Sequence, residues 1–338
     1  MFYKDLDVII PTYNRAKYLK VALESLFESI ATWRKTIILN NASTDNTLEV
    51  IKIIKEKYPD RIIEVITNEN NIGNANNFKK TQEIVSNKYV AIFHDDDAIH
   101  PEYIDRAMQI IMNSNKNIVL VSGGATALYN VNNKNWYLLS DNYWEYPADK
   151  NLFLQLILAR PTFCCAIYKS EIYKKINYRP EKYGKLHDII FMSEISRLGT
   201  SIYLHGECVR WRQHIGSDSN TLKTGPFPEE IINVLIQQKK LFNDELELKG
   251  VKKFFINIIF KAIFFNWAYF LYQWSDLKRF QTWDEFKVEM KKRKIFTSID
   301  YLLIDKLIDI IFNPCIKKLA KICSKKYFRK YYYRVGSF

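Results

Sequence analysis

The first hundred residues alternate short apolar runs with longer amphipathic ones. Asp7-Val-Ile-Ile-Pro-Thr-Tyr is a buried run closed by proline, and from Asn14 to Ile30 the apolar residues Leu19, Leu23, Leu26, Phe27 and Ile30 recur at helical spacing. Lys35-Thr-Ile-Ile-Leu-Asn repeats the strand pattern. Ser43-Thr-Asp-Asn-Thr, rich in helix-capping residues, then leads into a helix from about Thr47 to Tyr58. A third strand is expected over Ile62 to Thr67. The loop Asn68-Glu-Asn-Asn-Ile-Gly-Asn-Ala follows, then a helix near Asn77 to Ser86 and a fourth strand, Tyr89-Val-Ala-Ile-Phe, which runs straight into His94-Asp-Asp-Asp. This alternation predicts an α/β fold with a mainly parallel sheet covered on both faces, and places ligands outside the carboxyl ends of the strands. The polar clusters fall at those ends.

Beyond residue 117 the pattern loosens. Ile118-Val-Leu-Val-Ser, Cys164-Cys-Ala-Ile-Tyr and Ser201-Ile-Tyr-Leu read as strands between irregular aromatic segments, suited to substrate binding. From about Phe227 the chain becomes helical, so the expected organisation is a catalytic domain over 1–225 and a helical, basic and aromatic region over 226–338. Phe254 to Trp274 is long enough to span a bilayer, but Lys261 near its middle costs about 2.5 kcal/mol or more on insertion, which favours burial or interfacial lodging.

Charge sharpens that division. Residues 1–248 hold 30 Lys+Arg against 30 Asp+Glu, whereas 249–338 hold 20 against 7, so the net +13 resides in the last quarter. Cations interleaved with rings over Lys317 to Arg334 suit an anionic membrane surface. RNA would attract similar residues, but nucleic acid is not the expected partner. Five cysteines, an odd number with two adjacent and no CxxC spacing, fit a reducing cytoplasm. Asp5 and Asp7 precede any apolar run that could serve as a signal peptide. The expectation is a cytoplasmic protein, peripheral at the inner face of the plasma membrane.

Asp95-Asp96-Asp97 carries the main chemical signal. Three carboxylates after a buried strand repel one another unless a cation joins them. Mg²⁺ or Mn²⁺ held by one or two carboxylates, with phosphate oxygens filling other positions, is a standard way to bind diphosphates. The bland alternative is a solvated turn capping the next helix.

Four segments in order resemble the family-2 glycosyltransferases of GT-A fold: Val8-Ile-Ile-Pro-Thr-Tyr-Asn-Arg, Asn40-Asn-Ala-Ser-Thr-Asp-Asn-Thr, Asn68 to Gly73, and His94-Asp-Asp-Asp. The resemblance covers about the first 220 residues. It implies a Rossmann-like sheet, with Pro11, Thr12 and Tyr13 beside the nucleotide base and Asp95, Asp96 and Asp97 as a DxD-type motif for metal and diphosphate, Asp95 and Asp97 being the metal ligands. Asn40 stands where the family usually has an aspartate that meets a pyrimidine. It either contacts the base or caps the next turn, and uridine is the preferred base. Asp188 aligns with the family's general base, although His187 replaces the usual glutamate. Arg212 and His214 lie two residues apart, on one face if extended, and suit a phosphate fork and a third metal ligand; a structural role for His214 stays open. His94 and His100 are assigned supporting or incidental roles.

The resemblance implies an inverting transferase that moves a sugar from a nucleotide-sugar donor, UDP-linked by preference, to a glycan acceptor. The family's surface-polysaccharide enzymes suggest a lipid-linked acceptor. Rival readings fit less well. Ile99 stands where haloacid-dehalogenase-type phosphatases place Thr or Val, no G-x-G-x-x-G follows the first strand, and Pro11-Thr-Tyr-Asn is not the Gly-rich loop of a nucleotidyltransferase. A membrane-surface or RNA-binding adaptor with an inactive GT-A domain is the non-enzymatic alternative.

Overall fold

The computed structural model describes residues 1–128, 136–214, 228–245, 285, 288, 291–293 and 332–334. Its first half is built from β1 (Phe2–Thr12), α1 (Ala16–Phe27), β2 (Thr32–Asn40), α2 (Thr47–Lys57), β3 (Ile63–Thr67), α3 (Asn74–Ile84) and β4 (Tyr89–Phe93). These four strands are all parallel, with β1 between β2 and β4 and β3 beyond β2.

The apolar run of β1 is continuous because both faces of the sheet are covered. Val8 and Ile10 pack on one side with Leu19, Leu23 and Leu26 of α1. Ile9 packs on the other with Tyr173, Phe191 and Ile195. Alternation along a strand sends neighbours to opposite faces, and each such residue contributes about 1.5–3 kcal/mol by leaving water.

The second half holds β5 (Ala98–Ile99), α4 (Tyr103–Asn113), β6 (Ile118–Leu128), β7 (Asn142–Tyr146), α5 (Asn151–Ile157), β8 (Cys165–Lys169), α6 (Ser170–Lys175), α7 (Pro180–Tyr183), α8 (His187–Ser196), β9 (Thr200–Arg212), α9 (Pro228–Glu245) and β10 (Tyr332–Arg334). Here the sheet is mixed. β8 runs antiparallel to β4 and β6, whereas β9 is parallel to β6. The main order is β3-β2-β1-β4-β8-β6-β9-β7-β10. The expected parallel sheet is therefore its first four strands; the mixed remainder lacked the regular strand-helix spacing that a parallel crossover needs.

Three described residues of the basic tail, Tyr332–Arg334, pair antiparallel with Asn142–Trp144 of β7. The apolar stretch 254–274 lies outside the described residues. No helix among the described residues is long and apolar enough to cross a membrane.

Candidate active site

Two loops after neighbouring strands are tied together first. Asn14 has φ of 49°, a left-handed conformation that Asn tolerates, and its Oδ1 accepts the Thr44 N–H at 2.7 Å while its own N–H donates to Ser43 Oγ at 3.0 Å. Asp45 accepts from Ala16 N–H at 3.0 Å and from Thr47 N–H at 3.1 Å, so one carboxylate secures the starts of α1 and α2. These loops, together with the ends of β4 and β9, face a cleft of about 500 Å³.

Pro11, Thr12 and Tyr13 line this cleft, as do Asp95, Asp96, Asp97, Asp188 and Arg212. Asn40 does not share their place. It is fully buried, its Oδ1 accepting from Ser43 N–H at 3.1 Å and its Nδ2 lying 3.4 Å from Thr67 Oγ1, which is the turn-capping arrangement. Asn41 lines the cleft instead and is fixed by Asn68 and Asn71.

The carboxylates sort by partner. Asp95 Oδ1 lies 3.2 Å from Arg15 Nη1, and burial, with Asp96 beside it, pushes its carboxyl up to about 6. Asp96 is buried too, but the fields of His94 and Arg15 and a hydrogen bond from His214 outweigh desolvation and hold it below its usual value. Its Oδ2 meets both Arg15 Nη1 and His214 Nε2, the latter at 2.9 Å. Asp97 Oδ1 accepts the Arg212 backbone N–H at 2.9 Å, and its Oδ2 is 3.2 Å from His94 Nδ1. Burial disfavours the His94 cation, yet Asp97 and the surrounding negative field lift it to about 9.

Donor atoms of His94, Asp96 and Asp97 all lie within 4.8 Å of one another. One imidazole with two carboxylates suits a divalent ion of the Mn²⁺ type. Among the three metal ligands expected from sequence, only Asp97 belongs to this group. Asp95 turns to Arg15, and His214 reaches Asp96 as a hydrogen-bonding partner. His94, assigned a supporting or incidental role from the sequence, abuts the triplet at the strand's end, where its imidazole meets Asp97, and Phe78 and Phe163 pack edge-on against its ring.

Arg212 and His214 do share a face. The His214 ring stacks on Tyr18 with centroids 4.5 Å apart, and the Arg212 guanidinium lies 5.3 Å from the same ring. Arg212 Nε donates to the Asp96 carbonyl at 2.7 Å, while its buried Nη2 has no hydrogen-bond partner among the described residues. An unpaired guanidinium nitrogen at a cleft wall is a ready donor to an anion. Tyr18 was not legible as a site residue, since it reads as one more member of α1.

Asp188 is the second residue of α8, and its Oδ1 accepts the adjacent Ile189 N–H at 2.9 Å. Burial raises its pKa against the opposing field of His187. His187 itself is a brace: its Nδ1 donates to the Gly184 carbonyl at 2.6 Å, and its Nε2 meets the Tyr178 hydroxyl.

The family model for glycosyl transferase family 2 matches residues 7–177, just over half of the chain. The chain belongs to this family. An uncharacterized glycosyltransferase of Haemophilus influenzae is 26% identical over 221 residues, covering 62% of this chain and 65% of that one. One from Rickettsia typhi, RT0329, is 23% identical over 262 residues, or 77% and 80%. Across four of the curated relatives, the matched segments span from 30% to 65% of the relative's length. Among solved structures, Staphylococcus aureus TarS 1–349 in complex with UDP-GlcNAc superposes with a TM-score of 0.57 at 18% identity, covering 78% of this chain and 73% of that one. That likeness establishes the GT-A fold.

Proposed function

We propose that this family member is an inverting glycosyltransferase that moves a sugar from a nucleotide-sugar donor to a glycan hydroxyl. The observation that carries the reading is the meeting, in one cleft, of His94, Asp96 and Asp97 with the unpaired Arg212 nitrogen and the half-buried Asp188 carboxyl.

In this reading His94, Asp96 and Asp97 hold Mn²⁺ or Mg²⁺, which supplies positive charge for the departing diphosphate. Arg212 donates to a phosphate oxygen, and Tyr13, 39% exposed at the cleft, offers a ring face to the base. Asp188 takes the proton from the acceptor hydroxyl as its oxygen attacks the anomeric carbon from the side opposite the leaving group. A UDP-sugar is the preferred donor, and the TarS complex makes UDP-GlcNAc the first compound to test.

The acceptor we propose is lipid-linked, presented where the basic region over 249–338 meets an anionic membrane. The test is a donor hydrolysis screen with UDP-, GDP-, CDP- and dTDP-sugars in Mn²⁺, repeated with EDTA and with Asp96→Ala. Release of one nucleoside diphosphate, abolished by EDTA and by the substitution, is the expected result. Absence of turnover and of nucleotide binding across the panel would overturn the enzymatic reading.

A further inference from the structure

Arg15 is a cation of the cleft with no part so far in donor binding. It belongs to the loop between β1 and α1 and lines the cleft, and its Nη1 bridges Asp95 Oδ1 and Asp96 Oδ2. Asp96 is also one of the three residues gathered for a divalent ion. Its Oδ2 already receives Arg15 and His214. A cation binding through that oxygen would displace one of these partners, and one binding through Oδ1 would still set its charge against the Arg15 guanidinium at the same carboxylate.

His214 is the firmer of the two, stacked on Tyr18 with its side chain 11% exposed, against 25% for Arg15. Arg15 is the more exposed of the two, and a phosphate would offer it a second acceptor. Its guanidinium matches phosphate oxygens in geometry and charge, and a donor diphosphate in this cleft would lie within the same walls. Asp95, outside the metal group, can keep hold of Arg15 in either arrangement.

Resting on the metal-dependent reading above, we propose that Arg15 is a resident counter-ion that competes with the divalent ion for Asp96, so that metal and donor diphosphate enter as a coupled pair. With nucleotide bound, Arg15 would transfer to phosphate and leave the Asp96 carboxylate free to hold a divalent ion. Without it, Arg15 holds metal affinity down. Neither arrangement strands a buried charge, which would be the costly outcome.

The experiment is an EPR titration of Mn²⁺ on the full chain with and without UDP, comparing wild type with Arg15→Gln, Arg15→Lys and Asp96→Asn. UDP is expected to tighten Mn²⁺ binding in the wild type. Arg15→Gln should tighten it roughly tenfold without UDP, as expected for removing a competing charge at contact distance, and should shrink the UDP effect. Arg15→Lys, which keeps a cation, should stay close to wild type. Mn²⁺ affinity in Arg15→Gln equal to or below wild type, with Asp96→Asn abolishing binding, overturns the counter-ion role while sparing the metal site. Unchanged binding in Asp96→Asn overturns the metal reading itself, and the proposal with it.

Discussion

Asp188, the proposed base, shows how desolvation can prepare a side chain for proton transfer. Because desolvation raises its carboxyl, the ionised base forms at a higher pH than for an ordinary carboxylate near 3.9. Activity should therefore rise with pH through a limb displaced above that value, read as kcat/KM against pH. Asp188→Asn should lower kcat by about 10²–10⁴ while nucleotide binding, measured by calorimetry, stays within a few-fold of wild type. At the same scale, Ala42 has φ of 57°, a left-handed conformation that costs a residue with a Cβ about 1–2 kcal/mol. Ala42→Gly should raise the midpoint of denaturant unfolding, and an unchanged or lower midpoint would mean that the loop stores no strain there. The acidic triplet was legible in the sequence because adjacent carboxylates at the end of an apolar strand repel one another and so call for a cation. The division of labour within it was not, since partners such as Arg15 and His214 arrive from 80 and 118 residues away.

Elements depend on such partners as well. The β1–α1 and β2–α2 units were readable from periodicity, with helix boundaries displaced by at most three residues, because each unit carries its own apolar stripe. The loops that make the site belong to no periodic pattern, so their arrangement emerges only when parallel strands bring them side by side. Asp45 expresses that arrangement in one residue. Burial weighs against its charge, but hydrogen bonds from Thr47 and Ala16 hold its carboxyl below the usual value. Its stabilisation is therefore fully present above the pKa of the unfolded chain and is lost as pH falls through the lower folded value. Asp45→Ala should cost about 1 kcal/mol at neutral pH and lower Tm, with the difference from wild type shrinking in acid.

For the whole molecule, the separation of charge is the dominant feature. The first 248 residues are balanced, while the last 90 carry the excess of 20 cations over 7 acids. Co-sedimentation with vesicles containing anionic lipid should be strong at low salt and weaken as ionic strength shortens the Debye length from about 30 Å at 0.01 M to 8 Å at 0.15 M. Salt-independent binding would instead point to apolar insertion, and no binding at any salt would remove the membrane from the proposal.

β10 adds a consequence for how the chain can be cut. Its three residues cover the outer edge of β7, and β7 in turn lies against β9, the strand that ends in Arg212. Shortening the protein after α9 would therefore uncover a row of backbone donors and acceptors on β7, an invitation to strand exchange between copies. Sedimentation of a chain ending at residue 245 should show more self-association than the full chain, and the disturbance would begin one strand away from Arg212.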